Sequence, residues 1–313
     1  MTSRRQFIQL SVTGAVAAAA ASIPFTSAAQ AALTAATSGT AGTVSAGSGS
    51  GHIKITQVRN ATLIVNYAGV KFLIDPYLAE KEAYPGFEGT LNSQLRNPRV
   101  ALKTPMNTIL DVDAVIVTHT HNGNPQGDHW DEAAVKLVPK HLPLFAQHEA
   151  DAARIRAQGF TDVRVLTPDS SFKGVSLSWT PGRHGTEEAT AVAGEGLGDV
   201  CGIVFRHTGE ETLYLTGDTR WNSYVRKTLK TYNPDVIVMN AGFAVATNLD
   251  GIIMGVEDVN EVAEAMPDAT LIASHLEAVN HCTVTRADLR KYSRLMGFDN
   301  RLLIPEDGET VSV

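Results

Sequence analysis

Short apolar runs rich in β-branched residues, separated by turn residues, recur from residue 53 onward. A first series is Ile53–Val58, Thr62–Tyr67, Val70–Ile74, Ala114–Thr118, Val163–Leu166 and Val175–Trp179. A second is Cys201–Phe205, Thr212–Thr216, Val236–Met239, Thr270–Ala273 and Arg301–Ile304. Runs of this length and content read as strands. Helical periodicity is interleaved at Glu132–Val138, Glu149–Gln158, Glu257–Ala265 and Arg286–Met296, the last stopped by Gly297. Some strands follow one another directly, as hairpins do, while others are separated by a helix. That mixture predicts an α/β chain with mixed sheets covered by helices, not a purely alternating Rossmann chain. No Gly-rich phosphate loop opens a helix, and no tandem repeat is visible.

The pattern before residue 53 is of another kind. Residues 1–31 carry only two charged side chains, in Ser3-Arg4-Arg5-Gln6-Phe7-Ile8, then an alanine-rich stretch ending in Ala29-Gln30-Ala31. This resembles a twin-arginine signal peptide and implies export to the periplasm or beyond. The stretch Ala15–Ala21 is too weakly hydrophobic for a good membrane anchor. Residues 32–51 are almost entirely Thr, Ser, Gly and Ala, a composition that buries too little apolar surface to offset its ordering entropy, and they read as a flexible linker. Residues 52–313 are then expected to form one domain. With 43% hydrophobic and 19% charged residues, the chain as a whole is globular in composition. The net charge of −7 and the lack of a Lys/Arg run argue against a nucleic-acid partner. Cys201 and Cys282 lack CxxC spacing and read as two small buried residues.

Four predicted strands run out into residues able to bind metal. The strand at 114–118 feeds into His119-Thr120-His121, followed by Asp128-His129. The strand at 175–179 leads to Arg183-His184, that at 212–216 to Gly217-Asp218, and that at 270–273 to Ser274-His275. In extended chain, residues i and i+2 point the same way, so His119 and His121 are expected to converge on one ion. Strand ends gather along one edge of a sandwich, where His119, His121, Asp128, His129, His184, Asp218 and His275 would meet. Singly, each has a bland role: Asp128 as an N-cap, Asp218 as a turn residue. Together, each at or soon after a strand end, they point to a metal site.

With these residues the chain is similar to the metallo-β-lactamase-fold hydrolases, and within them to the branch that includes ascorbate-6-phosphate lactonase-like proteins. The resemblance covers residues 52–313, including Asp75 in Leu73-Ile74-Asp75-Pro76 and the segment Glu277-Ala278-Val279-Asn280-His281. It implies a four-layer αβ/βα sandwich with a dinuclear site at one edge. His119, His121 and His184 would bind the first metal, Asp128, His129 and His275 the second, and Asp218 would bridge them. Zinc is the default for such donors, one or two ions, with manganese or iron as alternatives. Asp75 would orient a ligand imidazole. The family motif has one residue between its second His and its Asp-His pair, whereas residues 122–127 intervene here. An insertion that displaced Asp128-His129 would weaken the second metal site.

The implied activity is hydrolysis of a small ester, lactone-like, by metal-activated water, with Asp128 orienting the nucleophile and His281 a candidate proton donor. Cleavage of a small phosphodiester, or metal holding with little turnover, are the alternatives. Arg183 and Arg220 are candidates to hold an anionic group. The long segments 77–110 and 185–198 read as lids, and 241–255 as a third loop at the same edge.

Overall fold

Alternation along the strands decides the layers of this molecule. Within Val70–Ile74, Phe72 and Ile74 pack into one core and Leu73 into another; within Val236–Asn240, Val236 and Val238 oppose Ile237 and Met239. Strands buried on both faces need cover on both sides. The computed structural model, which describes residues 53–193, 198–246 and 249–313, provides that cover with four layers. Residues 1–52, with the signal-peptide and linker readings, lie outside the described residues.

The first sheet contains β1 (Lys54–Arg59), β2 (Thr62–Tyr67), β3 (Val70–Ile74), β4 (Ala114–Val117), β5 (Leu144–Ala146), β6 (Val163–Val165) and the C-terminal β14 (Thr310–Ser312), in the order β14-β1-β2-β3-β4-β5-β6. The second contains β7 (Ser170–Phe172), β8 (Val175–Pro181), β9 (Cys201–Arg206), β10 (Leu213–Leu215), β11 (Val236–Asn240), β12 (Thr270–Ser274) and β13 (Leu302–Leu303), in the order β13-β12-β11-β10-β9-β8-β7. Helices α1 (Met106–Ile109), α2 (Glu132–Leu137) and α3 (Glu149–Ala157) pack on the outer face of the first sheet. The outer face of the second is covered by α5 (Ser223–Tyr232), α6 (Val256–Ala265) and α7 (Arg286–Met296). A further helix, α4 (Glu187–Ala193), follows β8. This is the four-layer sandwich that the resemblance implies. Among the described residues, no helix is long and apolar enough to cross a membrane.

Strand directions bring the site to one edge. β3 and β4 are parallel, as are β10, β11 and β12, and two antiparallel steps through β9 make β8 run with β10. The ends of β1, β3 and β4 therefore lie on one side of the first sheet, and those of β8, β10 and β12 on one side of the second. The two sides touch: the N–H of His275 donates to Asn60 O (3.0 Å), and Ser274 Oγ donates to Gln57 Oε1 (2.8 Å).

Two expectations about loops change. The segment 77–110 is a strap rather than a lid. Tyr77, Leu78, Ala79 and Tyr84 are buried, and the fully buried Arg59 guanidinium donates to the carbonyls of Tyr77, Ala79 and Val100. The Asp131 carboxylate accepts from Leu78 N, Ala79 N and Tyr84 Oη. The segment 185–198 contains α4, and its residues 194–197 lie outside the described residues.

At the centre of the core between the sheets, the Phe72 ring stands edge-on to Phe205 (5.3 Å) and Phe172 (6.0 Å). Replacing Phe72 with Ala is expected to cost about 3–5 kcal/mol, measured by chemical denaturation. A loss below about 1 kcal/mol would show that the sheets do not close on this ring.

Candidate metal centre

Each site residue stands where its strand or turn delivers it. Asp75 follows β3, His119 follows β4, His184 follows β8, Asp218 follows β10 and His275 follows β12. Asn60, in the turn after β1, completes the edge. The structure brings His119, His121, Asp128, His129, His184, Asp218 and His275 into one cluster, all buried except the half-buried His121. Within it, three sets have ligand atoms within 4.8 Å of one another: His119-His121-His129, His119-His184-Asp218 and Asp128-His129-His275.

Three of the rings are tied at Nδ1, which settles what Nε2 presents. The Thr118 hydroxyl donates to Asp75 Oδ2 (2.7 Å), so it can only accept from His119 Nδ1 at 3.2 Å. His119 Nε2 then carries a bare lone pair, and it has no hydrogen-bond partner among the described residues. His129 Nδ1 donates to Asp75 Oδ2 (2.9 Å), and His275 Nδ1 faces Cys282 Sγ (3.6 Å). The Nε2 atoms of His129 and His275 lie 3.2 Å apart, an approach that two ring protons could not share. Nitrogens at this spacing, beside carboxylates, suit a shared cation with bonds of about 2.0–2.2 Å. The donor set therefore fits a divalent ion, and the tethers at Nδ1 are of the kind that fix the ligand tautomer.

The carboxylates share the same ring of imidazoles. Asp218 Oδ2 lies 3.1 Å from His129 Nε2, 3.3 Å from His184 Nε2 and 3.6 Å from His275 Nε2, while its Oδ1 accepts from Asn240 Nδ2 (2.6 Å). Asp128 Oδ1 stands 2.9 Å from His121 Nε2; its Oδ2 accepts from Asn60 Nδ2 (2.8 Å) and lies 3.2 Å from His275 Nε2. Burial works against ionising either acid, yet the imidazoles hold both well below the usual carboxylate range. Conversely, burial opposes charge on His129, but Asp218 and Asp75 raise the metal-free ring to about 10, so a bound cation would take the place of the proton on Nε2. His119, which burial and the neighbouring histidines push down, stays neutral.

The inserted residues leave Asp128-His129 inside the cluster. His121 does not lie in extended chain: it has φ +48°, followed by Asn122 at +54° and Gly123 at +85°, so a tight turn and not strand alternation aims its ring. The bulge closes on its own hydrogen bonds, Gly123 N to Thr120 O (2.9 Å), Asn124 N to His121 O (3.0 Å) and Gly127 N to Asn124 O (3.0 Å). Thr120 itself donates to Asp151 of α3. The displacement that would weaken a second site is absent.

Other expectations shift. His281 is buried at the same edge, and burial lowers it to about 4, so it is uncharged and no cationic acid. Arg220 is engaged by Asp258 (2.7 Å) and by Gly251 O (2.8 Å), and Arg183 by Glu187 (2.8 Å). Cys201 and Cys282 are free thiols. Loop 241–255 does flank the edge, through the bridge Ala244–Cys282 and the bond from Gly185 N to Ile252 O (2.7 Å). Sequence reasoning misses Asn60, Thr118, Asn240 and Cys282. Only Asn60 leaves a signal, an Asn in a tight turn.

A β-carbon added to Gly127 would stand 2.9 Å from His121 Cδ2 and 3.2 Å from Asn124 O. Gly127→Ala is therefore expected to push the His121 ring aside and lower metal retention after gel filtration, as His121→Ala and His184→Ala should more severely. The exposed His207→Ala is the control. Full metal content in His121→Ala would remove that ring from the ligand set.

Residues 71–276 match the beta-lactamase superfamily domain. The UPF0173 protein YddR of Bacillus subtilis is 46% identical over 259 residues, covering 82% of this chain and 99% of the relative. A UPF0173 metal-dependent hydrolase of Methanopyrus kandleri is 25% identical over 264 residues, covering 82% and 99%. The crystal structure of an isothiocyanate hydrolase from Delia radicum gut bacteria superposes with a TM-score of 0.79 at 49% identity, covering 83% of this chain and 99% of that one. None of these three carries the narrower ascorbate-6-phosphate lactonase name. On these grounds the chain belongs to the beta-lactamase superfamily, within UPF0173, and its fold is the metallo-β-lactamase sandwich.

Proposed function

We propose that this chain, a metal-dependent hydrolase of the superfamily, cleaves a small neutral electrophile, with the central carbon of an isothiocyanate as the first target. The observation that carries the hydrolase reading is the convergence of Nδ1-tethered imidazoles and ionised carboxylates on one buried point. The 49% identity with an isothiocyanate hydrolase supports the substrate class. Opening of a lactone, which also presents an electrophilic carbon, is the second reading. A phosphodiester fits less well, because the two arginines available to an anion are already engaged. In this reading His119, His121 and His184 hold one ion, Asp128, His129 and His275 another, and Asp218 stands between them. Zinc is the first choice, manganese or iron the alternatives.

A bound divalent ion supplies a nucleophilic water at neutral pH and polarises the atom under attack. The chain's own residues do the rest. Asp75 and Thr118 fix the rings of His129 and His119, Asn240 fixes Asp218, and Asn60 holds Asp128. Asp128, kept ionised by the imidazoles, would orient the water through a carboxylate oxygen. Addition of water to R–N=C=S followed by C–N cleavage yields R–NH2 and COS, with both protons of water ending on nitrogen. His281, uncharged at the same edge, can relay the proton towards that leaving nitrogen.

Benzyl isothiocyanate, a set of lactones and a chromogenic phosphodiester, tested with metal-loaded and chelated protein, check the reading. Amine release from the isothiocyanate, lost on chelation and restored by zinc, is expected. Turnover of the phosphodiester alone would overturn the substrate class, and a metal-loaded protein inert to all three would leave a metal-holding protein. Site of action is inferred separately from Arg4 and Arg5, which point to twin-arginine export and a periplasmic or secreted enzyme. Replacing both with Lys should hold the unprocessed chain in the cytoplasm; unchanged export in cell fractionation would refute the route.

A further inference from the structure

Between Tyr84 and Asn97, which pair across their backbones (2.7 and 2.9 Å), the strap forms a loop whose Phe87 reaches His121 and His281 at the edge of the metal centre. One buried amide pins this loop. Asn280 Oδ1 accepts from Phe87 N (3.1 Å) and Asn97 Nδ2 (2.7 Å), and its Nδ2 donates to Thr90 Oγ1 (2.8 Å) and Leu91 O (2.7 Å). Each of these four bonds goes to the strap, although Asn280 itself precedes His281. What the clamp sets in place is the half-buried ring of Phe87. It stands edge-on to the His281 imidazole (5.2 Å, 87°) and roughly parallel to that of His121 (6.3 Å, 29°). Among the described residues, it is the only ring other than a histidine recorded against either.

An apolar ring contributes nothing to coordination, and beside a cluster of charged donors it excludes water from one side of the reacting position. Its face and edge offer 4.5–7 Å stacking geometry to an aromatic group, and its area rewards any bulky apolar one. We infer that Phe87, positioned by Asn280, selects the organic group of the substrate and favours an aromatic or bulky apolar group over methyl. This rests on the cluster being the reaction centre and narrows the substrate class proposed above. Phe87 is thus a specificity residue, and Asn280 acts through it.

The experiment measures kcat/KM for benzyl and methyl isothiocyanate in wild type, Phe87→Ala, Phe87→Leu, Asn280→Ala and the Phe87→Ala/Asn280→Ala double variant. The benzyl-to-methyl ratio should fall on the order of tenfold in Phe87→Ala, less in Phe87→Leu, and in the double variant no further than in Phe87→Ala. A purely structural role would lower both substrates alike and leave the ratio unchanged. A second arm does not depend on turnover: calorimetric binding of benzohydroxamate and acetohydroxamate, both metal chelators, to the zinc-loaded proteins. If wild type hydrolyses neither isothiocyanate but Phe87→Ala abolishes the preference for benzohydroxamate, the isothiocyanate reading fails and the role of Phe87 stands. If wild type shows no preference within the hydroxamates, or the preference survives in both Phe87 variants, the inference is overturned.

Discussion

A carboxylate buried among imidazoles is the constraint that the rest of this structure serves. Asp218 is 4% exposed, and its Oδ2 has three histidine Nε2 atoms between 3.1 and 3.6 Å away. An ionised carboxylate taken out of water is costly unless opposite charge and hydrogen bonds meet it. Here His184, His275 and Asn240 come from strand ends of the second sheet and His129 from the loop that follows β4 of the first, so sheet packing and site electrostatics cannot be separated. The approach is tight enough to dictate backbone chemistry next door. Gly217 sits at φ +64°, and a β-carbon there would stand 2.1 Å from Cys201 O, which leaves glycine as the residue that admits Asp218.

Orientation of the rings comes from a second layer whose members are uncharged or shared. Thr118 is the clearest case: its N–H and hydroxyl both donate to Asp75, and the same hydroxyl receives His119. One residue thereby connects two rings, since Asp75 also receives His129. Asn60 works across the sheets, giving Nδ2 to Asp128 and its carbonyl to His275 N and Ser274 Oγ. A network in which the Thr118 hydroxyl, the Asp75 carboxylate and the Asn60 carbonyl each serve more than one partner resists the tilting of any one ring, and pre-organisation of this kind lets a site bind an ion without reorganising.

How much of this is legible in the sequence depends on the physical range of each signal. Strands with both faces buried announce themselves as continuous apolar runs; Thr62–Tyr67 and Val70–Ile74 coincide with the observed elements. Three-residue strands such as Leu144–Ala146 and Ser170–Phe172 hold too few positions for a period, and their pairing is set by neighbours far along the chain. The helix Ser223–Tyr232 has a regular apolar face and Asn222 caps it, but its β-branched and aromatic residues are weak helix formers that equally suit a strand. In the site, residues of distinctive chemistry at strand ends can be read directly. Asn240 and Cys282 cannot, since an amide and a thiol acquire their meaning only from what folding places beside them, and Asn60 shows in the sequence only as an asparagine in a tight turn.

The insertion and the strap show how one backbone serves both chemistry and enclosure. Residues 122–127 close on themselves, and loop closure entropy grows only slowly with length, so five extra residues cost little once both ends are held. Their ends are held by Thr120 on Asp151 and by His129 on Asp75. Strap anchors follow the same logic. Arg59 adjoins Asn60, Asp131 lies two positions after His129, and Asn280 adjoins His281. Each residue that fastens the wall over the site is thus one or two peptide units from a residue that builds it. Any backbone shift that loosened the wall would pass directly into the donor cluster, so the strap, unlike a hinged lid, is tied to the geometry of the site it covers.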